Sequence, residues 1–157
     1  MELDRLDLGL LKALQDNSRF SSSELAEIAG LSPTAVQRRL NKLRKNGAIQ
    51  AEVSIISPEA VGRPLLMLVS VRLERERADI IDRFKSAIRD TREIMSGYYV
   101  TGEADFVLIV SAKSMEDYEA WSRRFFYENH DVKGFETMVV MDRVKASFAL
   151  PIDVDQA

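Results

Sequence analysis

The stretch Ser32 to Asn46, SPTAVQRRLNKLRKN, reads as a single helix that carries Arg38, Arg39, Lys42, Arg44 and Lys45 and no acid. The chain as a whole has a formal net charge of -3 over 157 residues. Five cations on one helix of an acidic chain are a local electrostatic footprint, and the polyanion they suit is DNA. Gly30 suits the left-handed end of a preceding helix. Ser32 supplies an N-cap oxygen, and Pro33 follows at the first helical position, where a missing N–H costs nothing. Val36, Leu40 and Leu43 recur at spacings of four and three and so line one face. Thr34, Arg38, Asn41 and Lys45 fall on the opposite face, flanked by Gln37 and Lys42, with Arg39 and Arg44 nearer the core edge. Thr34, Gln37, Arg38 and Asn41 are suited to base edges, and Lys42, Arg44 and Lys45 to phosphates. The candidate DNA-binding set is Ser32, Thr34, Gln37, Arg38, Arg39, Asn41, Lys42, Arg44 and Lys45.

Charge alone is equally compatible with a solvated helix face. The neighbours decide otherwise. Ser23 to Ala29 (SELAEIA) predicts a short helix with Leu25, Ile28 and Ala29 turned inward, joined to the basic helix through Gly30-Leu31-Ser32-Pro33. Two helices joined by so short a turn form a helix-turn-helix. Ahead of them Leu3, Leu6, Leu10, Leu11 and Leu14 form a third apolar stripe. After them come Gly47, Ala48 and Ile49, and a strand-like run to Ser57 (QAEVSIIS). Three helices and a short β extension are the layout of a winged helix-turn-helix.

The charge is unevenly distributed. Residues 1–31 hold three cations against six acids, and residues 63–157 hold 14 against 17, so only the 32–46 helix suits a polyanion. The chain has no cysteine and one histidine, which excludes a disulfide framework, thiol catalysis and a His-rich metal site. No leader and no apolar run near ~18 residues is present, so the expectation is a soluble cytoplasmic protein, nucleoid-associated through its DNA, with no membrane partner.

Gly62-Arg63-Pro64 marks a boundary. Leu65 to Leu73 predicts a buried strand, Ala78 to Arg89 a helix with Ile80, Ile81, Phe84 and Ile88 inward, and Ile94 to Thr101 a strand. Gly102-Glu103 turns the chain into the strand Asp105 to Ser111. Ser114 caps a helix with Asp117 three residues on, its inner stripe being Met115, Tyr118, Trp121 and Phe125. A last strand runs from Gly134 to about Ser147. The order βαββαβ is the ferredoxin-like plan, an antiparallel sheet with both helices on one face. The free face, occupied by Met67, Val69 and Val71 or by their alternates, is then solvated or covered by a second protomer. The fold class is α+β: residues 1–50 form a winged helix-turn-helix domain, 51–63 a β linker, and 64–157 a ferredoxin-like βαββαβ sandwich.

This arrangement resembles the Lrp/AsnC, or feast/famine, transcription factors over nearly the whole chain. The resemblance rests on Leu3-Asp4 with Asp7 and Leu11, Asn17-Ser18-Arg19, Glu24-Leu25-Ala26, Gly30-Leu31-Ser32, Arg38-Arg39-Leu40 with Leu43, and Gly47-Ala48-Ile49. In the second half it rests on Val100 to Phe106 (VTGEADF) and Val139 to Lys145 (VVMDRVK), which look most like the leucine-responsive branch. Gln50-Ala51-Glu52 departs from the family, where many members place a Gly and an aromatic. The resemblance implies dimers built through the C-terminal domain and often assembled into octamers, a linker strand (about Glu52 to Ile56) paired with its dimer mate, and binding to a pseudo-palindromic double-stranded DNA site. It also implies an amino-acid effector, nominally leucine-like, held between dimers at the turn Tyr99 to Asp105, with Tyr99, Thr101, Gly102, Glu103 and Asp105 as effector-binding residues and no other cofactor. The residues themselves leave a plain reading open: Thr101 to Ala104 is also a good hairpin turn, and Asp105 a group that finishes a strand end. An enzyme reading finds no nucleophile motif, phosphate loop or metal spacing beside Glu103 and Asp105. A ligand-independent architectural protein that compacts DNA is the alternative.

Overall fold

The structure, a computed structural model, describes residues 2–75 and 77–156. The chain divides into two compact units, Met1–Ser54 with Lys145–Ala157, and Ile55–Val144.

The first unit is built on α1 (Arg5–Asp16), α2 (Ser22–Ala29) and α3 (Pro33–Lys45). Each starts on a side-chain cap. Asp4 and Ser21 form reciprocal capping boxes with Asp7 and Glu24, and Ser32 Oγ accepts from Ala35 N–H. Gly30 ends α2 at φ 65°, the left-handed conformation that glycine adopts without a Cβ penalty. The core is Leu10, Ala13, Leu25, Ala26, Val36, Leu40 and Leu43. Ile28, expected inside, is exposed while Ala26 is buried. At 100° per residue Leu25, Ala26 and Ala29 span one arc, and Ile28 falls outside it.

Residues 50–57 form no strand within the chain, so the expected β extension finds no ladder, and Val53, Ile55 and Ile56 are exposed. The tail 145–156, read from sequence as part of the second domain, belongs with the helical unit. Gln15 donates to Leu150 C=O and accepts from its N–H, and Arg5 pairs with Asp155.

The second unit holds β1 (Leu65–Leu73), α4 (Ala78–Asp90), β2 (Ile94–Tyr99), β3 (Phe106–Ala112), α5 (Met115–Ser122) and β4 (Val132–Val139). All pairings are antiparallel and the strand order is β2-β3-β1-β4, the ferredoxin-like arrangement. Met67, Val69, Val71 and Leu73 of β1 and Phe106, Leu108, Val110 and Ala112 of β3 join Ile80, Phe84, Tyr118, Trp121 and Phe126 in one core. The free face is therefore that of the alternates, Leu66, Leu68 and Ser70, with Val107 and Ile109 of β3 beside them in register. At the edge, Gly97 lets α4 approach: a Cβ there would lie 2.6 Å from Ile88 Cγ2.

Two expectations are corrected here for physical reasons. The last strand stops at Val139 rather than near Ser147, because its partner β1 runs out; Val140 N–H makes a closing bond to Leu66 C=O, and Met141 and Val144 are then exposed. The inner stripe of α5 reaches Phe125, which packs against the core and stacks on Trp121, but its period shifts there. A π turn over Arg123–Tyr127 inserts a residue into the helical count, so Phe126 becomes fully buried and Phe125 partly so; Met115 stays half-exposed at the start.

Candidate nucleic-acid interface

Helix α3 presents its polar residues as the spacing predicts. Thr34, Gln37, Arg38, Asn41, Lys42, Arg44 and Lys45 are all exposed, opposite the buried Val36, Leu40 and Leu43. They are not equally available. Ser22 Oγ at the start of α2 donates to Gln37 Oε1 at 2.9 Å, and Gln37 Nε2 donates to Asn41 Oδ1 at 3.1 Å. That relay ties the turn to the outer face of α3. It leaves amide N–H groups, which are donors, as the outward chemistry of Gln37 and Asn41. Arg44 donates to both oxygens of Glu52 at 3.0 and 3.3 Å, an exposed pair worth little and easily exchanged for a phosphate. Among the described residues Arg38, Lys42 and Lys45 make no ion pair within the chain. Ser32 spends its hydroxyl on the helix cap.

Arg39 departs from the expected set. Its guanidinium Nη1 donates to Asp4 Oδ2 and Asp7 Oδ1, both at 2.7 Å. A cation so held faces α1, not the outer face of α3. Asp4, Asp7 and Ser22 are the residues that sequence reasoning did not connect with this site. The only local trace of the first two is the Asp-x-x-Asp spacing of a helix cap.

The caps also carry a pH dependence. The Asp7 backbone N–H, and after it the Arg39 guanidinium, hold the Asp4 carboxyl below its ordinary value of 3.8. The Ser21 N–H and hydroxyl hold Glu24 below 4.5. Both groups are stronger acids in the folded state, so their stabilisation is complete above the ordinary values and is lost as pH falls through the lowered ones. Asp4→Asn is expected to flatten the fall of the urea midpoint between about pH 6 and about pH 2.5. Circular dichroism at each pH checks this; a variant whose midpoint falls as steeply as the parent's would refute it.

The second candidate site is the turn between β2 and β3. Val100 N–H donates to Asp105 C=O at 2.9 Å, closing it, and Gly102 sits at φ 121°. Thr101, Gly102 and Glu103 are exposed. Asp105 finishes a strand end: its Oδ2 accepts from Leu73 N–H at 2.6 Å, where the β1–β4 register slips, and its N–H donates to Val71 C=O. Tyr99 lies over Phe106 at 5.0 Å between ring centroids, with Lys85 Nζ 4.9 Å from its own. Thr101, Gly102, Glu103 and Asp105 share this loop, and Tyr99 ends the strand before it.

A helix-turn-helix with a basic second helix, in one chain with a ferredoxin-like unit, defines a DNA-binding transcriptional regulator. Residues 3–44 match the AsnC-type helix-turn-helix domain, residues 66–150 match the Lrp/AsnC ligand binding domain, and the chain belongs to the Lrp/AsnC family of transcriptional regulators. It is 70% identical over 154 residues to an uncharacterised helix-turn-helix-type transcriptional regulator of Sinorhizobium fredii, covering 98% of this chain and 91% of that one. It is 32% identical over 151 residues to the leucine-responsive regulatory protein of Escherichia coli K12, covering 96% and 92%. Among solved structures it is similar to a transcriptional regulator of Neisseria meningitidis in complex with L-Met, with a TM-score of 0.88, 29% identity and coverage of 96% and 97%. An AsnC family regulator of Agrobacterium tumefaciens gives a TM-score of 0.87 at 27% identity, with coverage of 95% and 97%. These relatives are regulators and not enzymes, and the chain is likewise not an enzyme.

Proposed function

We propose that this regulator binds a pseudo-palindromic double-stranded DNA site as a homodimer, and that an amino acid bound at the Tyr99–Asp105 turn modulates it by changing how dimers assemble. The observation that carries the DNA reading is the outer face of α3, where Arg38, Lys42 and Lys45 make no ion pair among the described residues and Gln37 and Asn41 are pre-oriented. A two-fold dimer offers two such helices to half-sites about one helical turn apart. In this reading Arg38, Gln37, Asn41 and Thr34 meet base edges, and Lys42, Arg44 and Lys45 meet phosphates.

The free face of the sheet is the dimer interface in this reading. Leu66, Leu68, Val107 and Ile109 form an apolar centre, and Met138 and Tyr98, each about half exposed, extend it. Residues 51–57, with Val53 and Ile55 exposed in alternation, suit pairing with the same segment of the mate. Four such dimers make the octamer, and the protein works in the cytoplasm on the nucleoid. Among the described residues no helix is long and apolar enough to cross a membrane. The effector reading draws on the L-Met complex of the Neisseria relative and on the name of the leucine-responsive relative. Leucine is the nominal ligand. An effector acts only if it favours one assembly over another.

The test is light-scattering mass across protein concentration, alone and with each of the twenty amino acids at millimolar level, with DNA affinity measured in parallel. A mass near eight protomers that shifts with one amino acid, together with a shift in DNA affinity, is the expected result. Mass and affinity indifferent to all of them would refute the amino-acid reading and favour a ligand-independent architectural protein.

A further inference from the structure

One cation of the basic helix is turned inward, and its surroundings are unusually complete. The side chain of Asp7 is 3% exposed, and that of Arg39 is 23% exposed. All four carboxylate oxygens of Asp4 and Asp7 have partners. Asp4 Oδ1 accepts from Asp7 N–H at 2.8 Å and Asp7 Oδ2 from Asp4 N–H at 3.4 Å, while Asp4 Oδ2 and Asp7 Oδ1 take the two bonds from Arg39. The capping box at the start of α1 and the middle of α3 are therefore one hydrogen-bonded object. The remaining hold on α3 is the apolar contact of Val36, Leu40 and Leu43, with one exposed, uncharged bond from Ser22 to Gln37. Apolar contact is non-directional and tolerates a roll of the helix; a charged hydrogen bond fixes it.

We propose that Arg39 is a positioning residue for DNA reading: through Asp7 and Asp4 it sets the rotation of α3 about its axis and so aims the neighbouring Gln37, Arg38 and Asn41. The proposal rests on the DNA-binding reading of α3 and is independent of any effector. Its consequence is counterintuitive. Asp7 is an acid beside a DNA-binding helix, so its removal should help a polyanion approach. With the clamp gone, however, α3 presents its readers out of register, and specific binding weakens.

The test uses the full-length protein, a duplex selected by it from a random pool, and a random duplex. Asp7→Asn is expected to weaken the selected duplex about tenfold while random DNA binds as well or better. Arg39→Gln is expected to match that loss with an unchanged slope of log affinity against log salt. The double variant should be no worse than the worse single. Arg39→Lys should recover most of the affinity, since both bonds come from a single nitrogen, which an ammonium can imitate. Asp4→Asn, at a half-exposed position, keeps the Asp7–Arg39 bond and should lose less; with Arg39→Lys it decides the matter if Asp7→Asn fails to fold. Tighter or equal binding of the selected duplex by Asp7→Asn would overturn the proposal. So would a salt slope lower by about one in Arg39→Gln, which would make Arg39 a phosphate contact. A wild-type protein that selects no sequence at all would sink the DNA reading itself, a result distinct from either.

Discussion

Phe84→Ala is expected to destabilise the sheet unit by about 3–5 kcal/mol. Phe84 is 1% exposed, on the inner face of α4, and its ring meets Phe106 of β3 edge-on at 4.9 Å between centroids and Phe125 of the π turn at 5.8 Å. Truncation removes the ring contacts and leaves a cavity. Its walls belong to a strand and to a π turn, whose backbones are held by their own hydrogen bonds, so they collapse little. In a domain of this size each kcal/mol lowers the melting temperature by about 4–8 °C. The readout is convenient, because Trp121 is the chain's one tryptophan and lies in the same core. Urea unfolding followed by its fluorescence therefore reports this unit. Met141→Ala, at a residue 94% exposed, is the control and should stay within about 0.5 kcal/mol. Equal midpoints for the two variants would mean that the packing around Phe84 is not what holds the unit together.

The elements that were legible in the sequence are those whose determinants are local. Gly30, Ser32 and Pro33 fix the start of α3 within a few residues, and Val36, Leu40 and Leu43 mark its buried face, all as found. The βαββαβ order follows from the alternation of strand and helix patterns in the same way. What was hidden depends on partners distant in sequence. Arg39 reads only as a cation nearer the core edge until Asp7, 32 residues earlier, is placed beside it. The end of β4 is set by the length of β1, while the apolar run continues past it to Met141 and Val144. The facing of β1 was ambiguous because a one-residue slip exchanges the two sides; only the pairing with β3 and the helices above shows that Leu66 and Leu68 are the outer set. The π turn defeats periodicity directly, since a stripe counted at 3.6 residues per turn has no place for an inserted residue. At the β2–β3 turn, the glycine was readable and the commitment of Asp105 to Leu73 N–H was one of two open readings. That bond occupies one carboxylate oxygen, so an effector's ammonium group would have the other, or Glu103, to meet.

Arg38→Ala is expected to weaken binding to the specific site by about 1–3 kcal/mol and to relax the preference at one base position. Arg38 is exposed on the outward face of α3, makes no ion pair among the described residues, and lies in sequence between the partners of the Gln37–Asn41 amide bond that stiffens this face. A guanidinium there offers a fork of donors, which suits the paired acceptors N7 and O6 of guanine in the major groove. Alanine leaves those acceptors without partners, so the loss falls on the sites that carried them and little on others. Lys45 is the contrast. It stands in the last turn of the same helix, as a point charge fitted to a phosphate. Lys45→Ala should therefore weaken selected and random duplexes alike and lower the salt slope by about one, because one fewer counterion is released on binding. Titrating both variants against both duplexes at several salt concentrations separates the two roles in one set of curves. If Arg38→Ala loses as much on random DNA as on the selected site, Arg38 is a phosphate contact, and base reading by α3 falls to Thr34, Gln37 and Asn41.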